Sequence, residues 1–209
     1  MAPKHSETPI IGVLALQGAY AAHARALAAC GAEARLIRRP DELDGLDGLI
    51  VPGGESTTFL KHLERDGFLE ALAGFVSRRP TFGTCAGAIL LAAEVSNPHQ
   101  DSLGALDIAI ERNAYGRQID SSIVTAKSEL PGGPLEMVFI RAPRITATGA
   151  GVEVLAEREG APVLVRQGRV LAATFHPELS ADLRVHQLFV DMVKTFAADA
   201  NAIGRADPE

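Results

Sequence analysis

The stretch Thr81-Phe82-Gly83-Thr84-Cys85-Ala86-Gly87-Ala88 decides how this chain is read, because a short β-like run ends at a cysteine and an apolar helical run starts directly after it. A side chain stands clear of a tight strand-to-helix turn only when its neighbours are small. Gly83 and Gly87 flank Cys85 symmetrically, two positions before and two after. That spacing fits a nucleophile elbow of the G-x-Nuc-x-G form, with cysteine in place of serine. A thiol at a helix N-terminus also faces unpaired backbone amides and the positive end of the helix dipole, which favour the thiolate.

Upstream of this turn, β-branched runs alternate with helical patterns. The pattern predicts strands over 10–16, 33–37, 48–51 and 81–84, and helices over 20–30, 56–65, 68–77 and 86–93. Gly31 stops the first helix, and Pro52, Gly53 and Gly54 close the third strand. Strands alternating with helices argue for parallel βαβ units, hence an α/β fold: a three-layer α/β/α sandwich around a mostly parallel central sheet. Downstream the character changes, with β-like runs over 108–110, 121–126, 137–140, 152–156, 163–166 and 169–174. These predict a smaller antiparallel β element, a hairpin turn at Gln167 and Gly168, and a closing amphipathic helix over 182–196. Residues 1–9 are expected to be a flexible leader, 10–197 a single domain, and 198–209 a flexible tail.

In an open parallel sheet, the loops at the carboxyl ends of the strands share one edge, where ligands bind. Leu16-Gln17-Gly18, Gly53-Gly54-Glu55, Cys85 and His176 all fall at that edge if the strand over 170–174 joins the sheet in parallel. His176 and Glu178 are two apart, a spacing that in extended chain points both side chains the same way, with Pro177 restricting the backbone between them. The carboxylate can then hold one imidazole nitrogen while the other faces Cys85, an arrangement suited to acyl transfer through a cysteine nucleophile. An oxyanion formed in such a reaction needs donors in place, for which the backbone amides of Gly54 and Ala86 are the candidates. Cys30 reads as a buried structural thiol.

Composition narrows the classes further. With 209 residues, 47% apolar and 22% charged, the chain reads as an ordinary globular protein. A net charge of −6 leaves no basic footprint for nucleic acid or anionic lipid. The two cysteines lie in no C-x-x-C or metal-ligand spacing, so neither a disulfide framework nor a metal site is expected, and a reducing, cytoplasmic setting fits. No apolar run reaches the roughly 18–20 residues of a membrane span. The residues alone leave open an amidotransferase subunit, a cysteine peptidase or other hydrolase on a similar sheet, and a regulatory subunit that retains the fold. The acid following the histidine counts against a serine-type α/β-hydrolase, which orders nucleophile, acid, histidine.

From about residue 11 to 193 the chain resembles the class I (triad) glutamine amidotransferases, and within them the glutaminase subunits of two-component pyridoxal 5'-phosphate synthases. The runs that carry this are LQG (16–18), PGGESTT (52–58), FGTCAG (82–87), ERNAYGRQ (111–118), FIRAP (139–143) and FHPEL (175–179). The resemblance implies a flavodoxin-like fold and hydrolysis of L-glutamine to glutamate through a thioester on Cys85. His176 would be the acid/base and Glu178 the orienting acid. It further implies that Gly53, Gly54, Glu55, Arg112, Ile140 and Arg141 line the glutamine site. No cofactor is called for. Ammonia would pass to a separate (β/α)8 synthase subunit, in a hetero-oligomeric complex that builds pyridoxal 5'-phosphate from a pentose phosphate and a triose phosphate. The chain departs from many relatives at Ala22, where an acidic residue commonly precedes the histidine matching His23, and at Ala88, where a bulkier residue is common.

Overall fold

The computed structural model describes residues 8–63, 67–112 and 121–203. Residues 1–7 of the leader, residues 64–66, most of the ERNAYGRQ run and the last six residues therefore lie outside the described residues.

The central sheet has seven strands in the order β10-β11-β12-β4-β3-β1-β2. Its parallel part is β2 (Glu33–Ile37), β1 (Ile10–Leu14), β3 (Gly48–Val51), β4 (Thr81–Thr84) and β12 (Val170–Ala173). Two antiparallel strands, β11 (Ala161–Gln167) and β10 (Glu153–Arg158), extend it beyond β12. The last strand thus joins in parallel beside β4, as convergence of His176 on Cys85 requires. Strand order reverses at β1, which has β2 on one side and β3 on the other, and such a switch point opens a crevice at the carboxyl edge.

Side-chain alternation builds the three layers. Leu14, Leu49, Val51, Val170 and Ala172 point to one face, where they pack with Phe59 and Leu63 of α2 (Ser56–Leu63), with Leu72 and Phe75 of α3 (Phe68–Val76), and with α4 (Ala86–Leu91). Ile11, Val13, Ile50, Phe82, Leu171 and Ala173 point to the other, against Leu27 of α1 (Tyr20–Ala29) and Val185, Phe189, Val190 and Val193 of α5 (Arg184–Ile203). Both faces are covered, so the central strands read as unbroken apolar runs. Each fully buried Phe or Leu, such as Phe82 and Leu171, contributes about 2 kcal/mol.

Two small sheets flank this body: β5 (Ala92–Ser96), β6 (Leu106–Glu111) and β9 (Arg144–Thr148) form one, and β7 (Ser121–Ala126) pairs antiparallel with β8 (Leu135–Ile140) in the other. Here three expectations need correction. The helix predicted over 86–93 ends at Leu91, and Ala92 turns extended because the next five residues pair in parallel with β6. The second half is therefore not purely antiparallel. β9, which carried no expectation, buries only Ile145 and pairs antiparallel with β6. Finally, α5 runs to Ile203, past the predicted end at 196 and into the stretch read as a flexible tail. Among the described residues, no helix is long and apolar enough to cross a membrane.

Candidate active site

Cys85 sits between β4 and α4 with φ 48 and ψ −105, a left-handed backbone state that a non-glycine residue holds only when its surroundings enforce it. The enforcement is visible on both sides. A Cβ on Gly83 would lie 2.6 Å from the Gly87 carbonyl oxygen, and one on Gly87 would lie 1.9 Å from the carbonyl oxygen of Val51 in β3. The two glycines let the helix start pack directly on the sheet. The Cys85 amide donates to the carbonyl of Ala173 at 2.9 Å, tying the elbow to the end of β12 just before the chain reaches His176.

His176 is nearly buried, and its Nδ1 lies 2.8 Å from Glu178 Oε1. The backbone between them is not extended, as the two-residue spacing suggested: 177–179 form a short 3-10 turn, with Pro177 at its first position, where a missing N–H costs nothing. The amide of Leu179 donates to the His176 carbonyl, closing the turn and swinging the carboxylate back onto the imidazole. Gly53 provides the floor. A Cβ there would lie 2.5 Å from His176 Cε1 and 3.1 Å from Cys85 Cβ, so imidazole and cysteine meet over one stretch of bare backbone. Thr84 Oγ1 accepts the Gly53 amide at 3.0 Å and pins that backbone to β4.

Electrostatics bind the three groups into one unit. Burial works against a charged imidazole, but hydrogen bonding and negative charge from Cys85 and Glu178 outweigh it and raise the His176 pKa to about 10. Burial likewise pushes the Glu178 carboxyl upward, yet the His176 hydrogen bond and the neighbouring imidazoles leave it below its ordinary value. With Nδ1 engaged by Glu178, Nε2 is the nitrogen left to exchange a proton with the thiol. The arrangement can deliver a sulfur nucleophile, a proton carrier and an orienting carboxylate to one carbonyl carbon.

Cys85 and His176 open on a cleft of about 300 Å3 whose lining includes Gly54, Glu55, Arg112, Ile140 and Arg141. Most residues expected at the site are therefore together. Gly53 lies beneath the triad, Glu178 behind His176, and Ala86 at the first turn of α4, where backbone amides lack intrahelical acceptors. Arg112 donates through Nη2 to Thr57 Oγ1 at 2.8 Å. Arg141 holds φ 45, a second strained residue at the cleft. Glu55 is turned differently from a simple lining residue. Its carboxylate accepts the Thr58 hydroxyl and the amides of Thr58 and Thr57, capping α2, and these bonds, the hydroxyl's foremost, outweigh the small cost of burial and hold its pKa down to about 2. Gln17 donates to the Glu55 carbonyl at 3.1 Å and packs against Gly54, so it shapes the turn rather than the triad.

Sequence reasoning passed over Ser56, Ile89 and Pro143, which also line the cleft, and Thr84, which stands inside the quoted elbow motif. It named His23 only as the family-matched histidine after Ala22 and gave it no role, yet it is wholly buried on α1 with Nε2 3.3 Å from Glu178 Oε2. Its signal was faint: a histidine on the same helical face as Ala26 and Leu27.

A model of the SNO glutamine amidotransferase family matches residues 13–195. The pyridoxal 5'-phosphate synthase subunit PdxT of Koribacter versatilis (strain Ellin345) is 61% identical over 184 residues, covering 88% of this chain and 95% of that protein. The subunit of the same name from Solibacter usitatus (strain Ellin6076) is 51% identical over 186 residues, covering 86% and 97%. A crystal structure of a glutamine amidotransferase superposes with a TM-score of 0.81 at 47% identity, covering 88% of this chain and 98% of that one. With a match over most of its length and the elbow, imidazole and carboxylate assembled at one edge of the sheet, the chain belongs to the SNO glutamine amidotransferase family.

Proposed function

We propose that this chain is the glutaminase subunit of a pyridoxal 5'-phosphate synthase, hydrolysing L-glutamine to L-glutamate and ammonia. The observation that carries the reading is the cysteine elbow facing an imidazole whose far nitrogen is held 2.8 Å from a buried carboxylate. Cys85 Sγ attacks the carboxamide carbon of glutamine, and the amides of Gly54 and Ala86 hold the oxyanion of the tetrahedral intermediate. His176 then gives its Nε2 proton to the departing nitrogen. The C–N bond breaks, ammonia leaves, and a glutamyl thioester remains on Cys85. Water attacks the thioester carbon while His176 takes its proton, and glutamate departs as the thiol is restored. Glu178 keeps the imidazole oriented throughout. Arg112 and Arg141 supply positive charge for the substrate carboxylate, and Ile140 bounds its aliphatic stem.

Free ammonia in neutral water is mostly protonated and loses its nucleophilicity, so the product is useful only if delivered along a shielded path. The relatives named as subunits of a pyridoxal 5'-phosphate synthase support a synthase partner as the recipient, and the (β/α)8 form of that partner is what the family resemblance implies. The reading is tested by glutamate release with and without that subunit, followed by detection of pyridoxal 5'-phosphate. Turnover stimulated by the partner and yielding the cofactor agrees with it. Glutaminase activity that never couples to cofactor formation rejects the client, and no glutaminase activity in the complex rejects the chemistry.

A further inference from the structure

Beneath the cleft, Glu178 is held from two sides. Oε1 takes the His176 contact, and Oε2 lies 3.3 Å from Nε2 of His23, which reaches in from α1. His23 is 0% exposed and Glu178 8% exposed, and the same Nε2 stands 3.3 Å from Thr84 Oγ1, the atom that fixes the Gly53 amide. Behind it, His23 Nδ1 faces His186 Nε2 of α5 at 3.0 Å, and Phe82 packs edge-on against both rings. One buried line therefore runs from α5 through α1 to the carboxylate, the imidazole of His176 and the cleft.

The chemistry of the groups fixes the protons along this line. An ionised carboxylate only accepts, so a lone pair on His23 Nε2 facing Oε2 would be repelled. Oε2 is a buried acceptor with no hydrogen-bond partner among the described residues, so the arrangement that avoids this repulsion puts the proton on Nε2, bonded to Thr84 Oγ1 with its positive edge toward Oε2. Nδ1 is then the acceptor, and His186 must donate to it through Nε2–H. His186 Nδ1 becomes a buried acceptor at the end of the line, with no partner among the described residues. Burial lowers the pKa of His23 to about 4 and of His186 to about 3, so both rings are neutral at neutral pH. The two nitrogens face each other instead of converging on a common point, which suits a hydrogen-bond chain and not a metal site.

We infer that His23 is a positioning residue for the hydrolysis proposed above: as a neutral Nε2–H donor, itself held in that tautomer by His186, it clamps Glu178 so that Oε1 stays on His176. The inference rests on the glutaminase reading, and it differs from a packing role because it depends on one N–H rather than on volume. Glutamine places an amide N–H close to the position of an imidazole Nε2–H, whereas leucine fills the space with no donor.

The test uses the complete complex with the synthase subunit. We expect His23→Leu to lower kcat about ten-fold or more with KM changed less than about two-fold, and His23→Gln to stay within about three-fold of wild type. Wild-type chain labelled with 15N-histidine should show His23 as the Nε2–H tautomer without titration between about pH 5 and 8. Equal kcat in His23→Leu and wild type, equal damage in the leucine and glutamine variants, or an Nδ1–H tautomer would each overturn the inference. If His23→Leu fails to fold, the wild-type tautomer decides. A wild-type complex that releases no glutamate defeats the glutaminase reading itself, while the tautomer still decides the geometry of the clamp.

Discussion

At Cys85 the left-handed backbone, the thiol and the imidazole are set by a few contacts, so single substitutions separate their effects. The raised pKa of His176 depends on negative charge at Cys85 as well as Glu178, against the opposing pull of burial. NMR titration of the wild-type chain should therefore find His176 protonated through neutral pH, losing its proton only towards about 10. In Cys85→Ala one of the two partners that raise it is gone, and the pKa of His176 should fall, while the fold persists because alanine fits the elbow. A wild-type His176 titrating near the ordinary 6.5 would contradict the coupling. Gly53→Ala tests position in place of charge: its Cβ would fall 2.5 Å from His176 Cε1 and 3.1 Å from Cys85 Cβ, so imidazole and cysteine must shift relative to one another. Displacements of about 1 Å at a reacting group cost roughly 100-fold, so we expect kcat to fall by about that factor with a smaller effect on the melting temperature. Unchanged kcat would show that the imidazole does not rest on Gly53.

Among the elements, the elbow and the cap of α2 carry the local energetics. Gly87→Ala sets a Cβ 1.9 Å from a backbone carbonyl of β3, which cannot rotate away, so the strand-to-helix junction must shift. We expect a loss of about 3 kcal/mol, or roughly 6–12 °C in Tm for a chain of this size, and an unchanged Tm would refute the packing described. Glu55→Ala removes the acceptor for the Thr57 and Thr58 amides and should cost about 1 kcal/mol at neutral pH. The Glu55 pKa is depressed in the folded chain, so its stabilisation is complete above the unfolded value of about 4.3 and lost as pH falls towards about 2. Urea titrations of both proteins at pH 7 and pH 2.5 should show the gap narrowing in acid. The same elements show what the sequence made legible. The strands at 33–37, 48–51, 81–84 and 121–126 are short, β-rich and bounded by turn residues, and the structure has each at those residues. Residues 86–93 read as one apolar helical run because nothing local marks the change at Ala92, which only pairing with the distant β6 imposes. β9 is five residues with one buried side chain, too little burial to leave a pattern.

On the scale of the whole molecule, the sheet order brings residues 85 and 176 together, and only the motif spacing foretold it. Cys85, His176 and Glu178 were legible because their neighbours, two glycines and a proline, are constrained by the same geometry. His23 was not, since a buried histidine in an alanine-rich helix looks like any core residue until α1 is packed beneath Glu178. The cleft opens to solvent at the carboxyl edge of the sheet, so ammonia released there by the isolated chain would escape and be protonated. Coupling turnover to a docked recipient would prevent such idle hydrolysis, so we expect low glutaminase activity alone and stimulation by the synthase subunit, and equal turnover in both states would refute the coupling. The central claim is that Cys85 is the nucleophile of a glutaminase, and glutamate release by wild-type and Cys85→Ala chains, each bound to the synthase subunit, tests it most directly. Turnover by the wild type and none by folded Cys85→Ala is the predicted result, and glutamate release retained by Cys85→Ala would contradict it.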